Sequence, residues 1–495
     1  MDMCFHSHEF FNLMNVLLTS SDDKTLHTKT LQEAIDKVSA AGGGCVILVS
    51  GVFRSGMLRM RDGVELRLER GAVLKASEAV EDHLPLIETA GSGDYWRQAG
   101  GSFHLLVAQG CRDVALTGGG RLDGNGTAWY DPVDPGTDWP RPRDADWRRM
   151  GAMVLFSECR GVRIDQVTLG NVCNWTLHLH ECDDVQVRDI RIVNPPQAPN
   201  SDGIDITGCR RVSVTGAHID TGDDAVCLKT LPGGRSCEHV VVSQCVLRTH
   251  CVALKLGATE SFEDMRNVVF SDCVVTGSHR VLGIYSLEGA VIEHVLCRNI
   301  TFDTCTPLMF PRPIHVDLRG HRPESRVGAI RNVQICGLTG ETNGRSLLTA
   351  QPGAMLEDLL ISDVHVRMPG FEDPARHGAE CGGAQFSNRT PRARVERAAF
   401  VLENARGVVM ERIRVQWPET GRALPEAWRF QHKLANGTHR LFEPGDWALD
   451  GDVPVHGVSA HNVHGGHLDT RALSGWQGGS AAFLEASDWN LTSQY

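Results

Sequence analysis

Three carboxylates carry the chemistry that this sequence suggests. Asp202 lies in Asn200-Ser201-Asp202-Gly203, Asp223 and Asp224 lie in Thr221-Gly222-Asp223-Asp224, and all three fall within 23 positions. A short apolar alternation follows each motif: Ile204 and Ile206 after the first, Val226 and Leu228 after the second. Alternation of period two marks β-strands, whose successive side chains point to opposite faces. If the two segments are neighbouring strands, Asp202 and Asp224 stack in one column with Asp223 beside them. Paired carboxylates at close range are the equipment for acid–base cleavage of a glycosidic bond. Asp and Gly are also common turn residues, but three carboxylates converging beside one apolar column argue for a site. Asp205 points outward on the Asp202 strand, where it faces the cleft or caps a turn.

The elements that would position these groups recur along the chain. Val162, Val185, Val212, Val240 and Val268 each lead a short alternation, at spacings of 23, 27, 28 and 28. Val64 and Val114 lead earlier copies, and Val333, Leu359 and Val408 later ones. A second strand follows several of them, as at Val167–Leu169, Ile190–Ile192 and Ile300–Phe302. A period of roughly 20–30 residues with several short strands per unit predicts a solenoid. The expected fold is all-β, a single-stranded right-handed parallel β-helix filling 1–495 as one domain. Cys111, Cys159, Cys182, Cys209 and Cys237 each stand three residues before a lead valine, which predicts a buried thiol ladder with one rung per coil. The absence of any C-x-x-C spacing leaves metal or redox chemistry without support, and buried Cys serves as a small apolar filler.

The segment Thr30–Ala41 is amphipathic and ends at Gly42-Gly43-Gly44, the signature of a helix and its C-cap. It is expected to cap the N-terminal coils within 20–75, because open sheet edges invite aggregation. Residues 95–147 read as projecting loops, and 419–495 as a C-terminal cap or extension.

The formal charge of −12 comes with no block of like charge, which argues against a nucleic-acid partner. Phe10–Leu18 is apolar, but its upstream flank carries Asp2 and Glu9 and no Lys or Arg, unlike a secretory signal. No run approaches the roughly 18 apolar residues of a membrane span. With 16 cysteines, the expectation is a reduced, cytoplasmic protein with no membrane partner, secreted only if a leader has been removed. Monomer and small homo-oligomer are both left open.

These motifs resemble the polygalacturonase family, glycoside hydrolase family 28, among the pectin-lyase-like β-helices. The resemblance runs through Gln32–Ile35, Gly42–Cys45, Gly71–Leu74, Asp123-Gly124-Asn125-Gly126, Asn174-Trp175-Thr176, Asn194-Pro195, Asn200–Gly203 and Gly222–Asp224. It implies an inverting hydrolysis in which Asp223 is the general acid and Asp202 with Asp224 hold the water as base. It also implies an oligosaccharide substrate, with Asn200 at the site, and no metal or cofactor.

Two further family motifs are not intact: a glycine-flanked histidine and an Arg-x-Lys pair that grips the substrate carboxylate. Aligning Leu254 and Leu256 with Val226 and Leu228 puts Val252 at the histidine position, with His250 two residues early. Aligning Leu282 and Ile284 puts Gly283 and Tyr285 at the Arg and Lys positions. The same columns hold other basic groups: Lys229 with Tyr285, Lys255 with Gly283, and Arg280 with Asp202 and Asp224. Lys229, Lys255 and Arg280 are therefore expected to form the cationic side of the pocket, binding an acidic sugar or tuning the aspartates. His250 and His279 read as cleft-lining or turn-capping. Trp175 reads as packing at a loop corner, and Trp96, Trp129 and Trp147 as stacking candidates for sugar rings.

The resulting expectation is an inverting hydrolase of pectin-derived oligosaccharides, exo-acting on a galacturonic-acid linkage. Hydrolysis of rhamnogalacturonan or neutral-sugar glycosides, calcium-dependent lysis, and non-catalytic carbohydrate binding are its rivals.

Overall fold

A computed structural model describes residues 13–84, 103–131, 141–142, 150–196, 198–304, 311–371, 395–418, 431–433, 439–441 and 454–493. The chain winds as a parallel β-helix. A first face contains Leu106–Gln109, Val154–Ser157, Leu177–His180, Ile204–Thr207, Val226–Thr230, Val252–Ser261, Arg280–Ser286, Arg312–Leu318 and Ser346–Ala350, each pairing in parallel with the next. A second face contains Arg112–Thr117, Arg160–Asp165, Asp183–Arg188, Arg210–Thr215, Cys237–Ser243 and Met265–Ser271. Short third-face strands, Thr168–Gly170, Arg191–Val193 and His218–Thr221 among them, close each coil.

The repeat read from sequence is the register of the second face. Val162, Val185, Val212, Val240, Val268, Val295, Val333 and Leu359 are successive partners in one column. All are buried in the main core. Burying a side chain of this size stabilises by about 1.5–3 kcal/mol, and here the gain repeats once per coil. The residue just before each lead valine, which the ladder skips, takes left-handed backbone: Asp184, Arg211, His239 and Asn267 stand at φ 60, 57, 58 and 58°.

The cysteine ladder is in place. The Sγ–H groups of Cys159, Cys182 and Cys209 donate to the carbonyls of Ala108, Phe156 and Leu179, on the first-face strand of the preceding coil, at 3.4, 3.3 and 3.3 Å. Burial pushes the Cys237 thiol up to about 12, so it stays protonated.

The helix forms at Thr28–Ala40, with Leu31, Ala34, Ile35 and Val38 buried at the spacing of one helical stripe. The strand Met14–Thr19 precedes it and pairs with the strand that follows it. Gly44 opens that second strand at φ 145°, paired with Met14, and a Cβ there would collide with the Met14 carbonyl.

Within 95–147, Leu106–Gln109, Arg112–Thr117 and Arg121–Asp123 form a coil of the helix. The rest of that segment lies mostly outside the described residues. In the C-terminal region, His456–Asp469 pairs with Ala398–Gln416 and then with Ala482–Glu485 and Asn490–Thr492, so coiling continues there.

Candidate active site

The site residues stand on the outer side of the first face. One outward column contains His178, Asp205, Cys227, Lys255, Gly283 and His315, successive partners in register. A neighbouring column contains Thr207 and Lys229, and further on Tyr285, Asp317 and Thr349. At the first position of their strands, Val252, Arg280 and Arg312 are successive partners. Backbone bonds extend this last column backwards. The N–H of Ala225 donates to Val252 O at 2.9 Å, that of Gly203 to Asp224 O at 2.8 Å, and that of Thr176 to Asp202 O at 2.9 Å. Trp175, Asp202, Asp224, Val252, Arg280 and Arg312 therefore follow one another up the helix.

Buried polar groups hold the two aspartate motifs together. Asn194 Nδ2 donates to Thr176 Oγ1 at 2.8 Å and to Thr221 Oγ1 at 2.9 Å, tying two successive coils with one amide. Ser201 Oγ–H donates to Ala198 O at 3.1 Å and accepts from Gly222 N–H at 3.2 Å. Asn200, half-buried, takes the left-handed corner at φ 46°.

The carboxylates have unequal surroundings. Asp224 is 2% exposed and pairs with Lys255 Nζ, while its Oδ1 accepts from Val252 N–H at 3.1 Å. Burial raises the Asp224 carboxyl, but the Lys255 charge and hydrogen bond outweigh it and hold the group below the usual carboxylate range. Asp202 and Asp205, 3% and 0% exposed, share one cation. Lys229 Nζ lies 3.2 Å from Asp202 Oδ2 and 2.7 Å from Asp205 Oδ1. It also sits 3.7 Å from the centre of the Trp175 ring, a cation–π contact. Burial dominates for Asp202 and pushes it well above the usual range, with Lys229 opposing and Asp205, Asp223 and Asp224 adding to the rise. Burial likewise takes Asp205 up to about 6 against the pull of Lys229. Burial would lower both lysines, yet Asp205 with Asp202 hold Lys229 well above its ordinary value, and Asp224 does the same for Lys255. Asp223 is half-buried at the rim, and its Oδ1 accepts from Asp224 N–H at 3.0 Å.

The structure thus brings Asp202, Asp223, Asp224, Lys229 and Lys255 together, with Arg280 on the aspartate column. His250 and His279 are half-buried at the corners leading into Val252–Ser261 and Arg280–Ser286. Tyr285 is fully buried, and its hydroxyl lies 3.2 Å from His315 Nδ1. Its ring covers Gly283, where a Cβ would come within 2.5 Å of a ring carbon.

One reading of tryptophan changes. Trp129 is 5% exposed and packs on Phe103 at 5.3 Å between ring centres, in the core rather than in an open loop. Trp175 packs, as expected, in the turn before Leu177–His180, where it lies under Lys229. Trp96 and Trp147 lie outside the described residues. Arg312 and His315 escaped the sequence reading because the coil between Arg280 and Arg312 spans 32 residues where 28 preceded it. Extending the column rule from Arg280 would have found them only with that insertion placed.

Asp223, Asp224 and Cys251 have potential ligand atoms within 4.8 Å of one another. They do not suit calcium, which takes about six to eight oxygen ligands. One of the three is a thiol that burial pushes well above its ordinary value, and one carboxylate is already engaged by Lys255.

The chain belongs to glycosyl hydrolases family 28, whose profile matches residues 88–382. It is 27% identical over 299 residues to a probable polygalacturonase of Vitis vinifera, covering 57% of this chain and 59% of that protein. It is 23% identical over 340 residues to an endo-polygalacturonase of Pectobacterium carotovorum subsp. carotovorum, covering 66% of this chain and 81% of the relative. The chain thus spans under two thirds of the grapevine relative's length. Among solved structures, an exopolygalacturonase from Thermotoga maritima superposes with a TM-score of 0.58 at 20% identity, over 72% of this chain and 87% of that one. A polygalacturonase from Erwinia carotovora ssp. carotovora gives 0.56 at 20% identity, over 70% and 92%. At that identity the likeness speaks to the β-helix fold.

Proposed function

We propose that this chain hydrolyses a glycosidic bond beside a uronic acid in pectin-derived oligosaccharides, by inversion and in exo mode. The observation that carries this reading is the stacking of the Asp202 and Asp224 rungs with Asp223 at the rim, within a family 28 match. Asp223 protonates the leaving oxygen. Asp224, kept ionised by Lys255, takes the proton of the attacking water, and Asp202 holds that water with it. The C–O bond breaks as the water oxygen attacks the sugar carbon from the opposite face. Inverting enzymes hold their two carboxyl groups roughly 6.5–9.5 Å apart, whereas oxygens of Asp223 and Asp224 lie within 4.8 Å.

One observation favours a different sugar. The positions aligned with the family's basic pair hold Gly283 and a buried Tyr285, while Lys229 and Lys255 are engaged by aspartates. Rhamnogalacturonan or neutral-sugar glycosides are the second reading. The coil is taken as right-handed, the hand of about 98% of parallel crossovers, with the helix Thr28–Ala40 covering its N-terminal end.

Product analysis on a panel of pectic oligosaccharides tests the proposal, with proton NMR of the first-formed anomer and Asp223→Asn as control. Release of terminal galacturonic acid with inverted configuration supports it. An unsaturated product absorbing in the ultraviolet, or full activity in Asp223→Asn, overturns it.

A further inference from the structure

The buried strip under the rim contains an uneven set of charges. Asp202, Asp205 and Asp224 are each at most 3% exposed, and the ammonium groups beside them are those of Lys229 and Lys255, 3% and 4% exposed. Lys255 pairs with Asp224. Lys229 lies between the other two carboxyls, 3.2 Å from Asp202 and 2.7 Å from Asp205. Two carboxylates facing one ammonium leave one negative charge uncompensated in a desolvated place, and a proton is the cheapest way to cancel it.

We propose that Asp205 is a positioning residue for the reaction: acting through the Lys229 ammonium, it holds the Asp202 carboxyl in place and shares one proton with it. The proposal rests on the hydrolytic reading of the site. Asp205 reaches the chemistry only through this contact, because it is fully buried.

The groups around it are fixed by the register. His178 and Cys227 are its column neighbours on the strands before and after. Burial holds the His178 ring well below its ordinary value and the Cys227 thiol well above, so both are neutral. Lys229 is anchored from below by the Trp175 ring at 3.7 Å, which leaves its ammonium little freedom to follow one carboxylate alone. Lys255 and Asp224 are the next charges and cancel as a pair; Asp223 at the rim adds negative charge beside Asp202, Glu260 adds it beside Lys229, and Arg280 stands further along the Asp202 column. The proton is therefore shared within Asp202–Lys229–Asp205 and not with the neighbouring rung.

The two charge-changing variants have opposite expected effects. Asp205→Asn leaves one carboxylate for one ammonium, so Asp202 ionises more easily. The acidic limb of the kcat profile then moves to lower pH, by about one unit or more, with KM little changed. Lys229→Met removes the shared cation, and the same limb moves to higher pH. A merely structural role would lower kcat or stability without moving the limb in opposite directions. The same variants are then made in the Asp223→Asn background and titrated by carboxyl infrared difference spectroscopy near neutral pH. Asp205→Asn is expected to lose one protonated carboxyl there, and an unchanged count or an unmoved limb overturns the proposal. The hydrolytic reading fails separately, through activity retained in Asp223→Asn, whatever the proton count.

Discussion

Ion pairs between successive coils occur on both the first and the second face, yet they do different things. On the second face Arg188 pairs with Asp165 at 2.8 Å and Arg211 with Asp184 at 2.6 Å, with arginine side chains 60% and 49% exposed. On the first face Lys229 pairs with Asp202 and Lys255 with Asp224, with lysine side chains 4% and 6% exposed. Each set joins an aspartate to a basic residue on the next coil, through arginine on the second face and lysine on the first. Their access to water also differs. Exposed pairs are screened and contribute little, whereas buried pairs depend on each partner to offset the other's desolvation. The helix therefore makes a surface fastening and a proton-handling site from the same inter-coil contact.

The largest expected effect that would break this comparison is in the rim carboxylate. Asp223→Asn should lower kcat by about 10²–10⁴-fold, with unchanged circular dichroism, in a reducing-sugar assay. Next comes Lys255→Met, which leaves Asp224 buried without its cation and should cost about 3–5 kcal/mol in chemical denaturation. Because Lys255 holds the Asp224 carboxyl down, the stability from that pairing is present above the usual carboxylate range and is lost as pH falls through the depressed value. Denaturation of Lys255→Met should lack this acid-side loss, and its activity should fail at higher pH than in the parent.

A smaller effect is expected from Asp205, whose carboxyl is raised from 3.8 to about 6. A raised carboxyl contributes stability below its unfolded value and loses it as pH rises through its folded one. The melting temperature of Asp205→Asn should therefore gain on the parent between pH 4 and pH 8. The smallest effect belongs to the second face: Arg211→Ala should leave both the melting temperature and the activity profile in place. A marked loss there would erase the distinction drawn between the two faces.

The fold was legible because its signal is periodic. Each lead valine repeats a choice that burial enforces once per coil, so errors at one coil are corrected by the next. Local chemistry was also legible: the aspartates, Lys229, Lys255 and Arg280 could be set in columns by aligning apolar pairs. Arg312 was not, because the insertion before it breaks the count. Trp129 was misplaced because loop and core tryptophans look alike in sequence when no strand pattern flanks them.

The amino-acid sequence by itself determined the solenoid, the stacking of Asp202 with Asp224 and the identities of the charges nearby. Periodicity and residue type are local properties and survive without coordinates. Only the tertiary structure decided which cation serves which carboxylate, that Lys229 stands between Asp202 and Asp205 on the Trp175 ring, and that Tyr285 folds over Gly283. Those outcomes depend on side-chain direction and on how far each group is removed from water, and both are set by coils that meet only when the helix is wound.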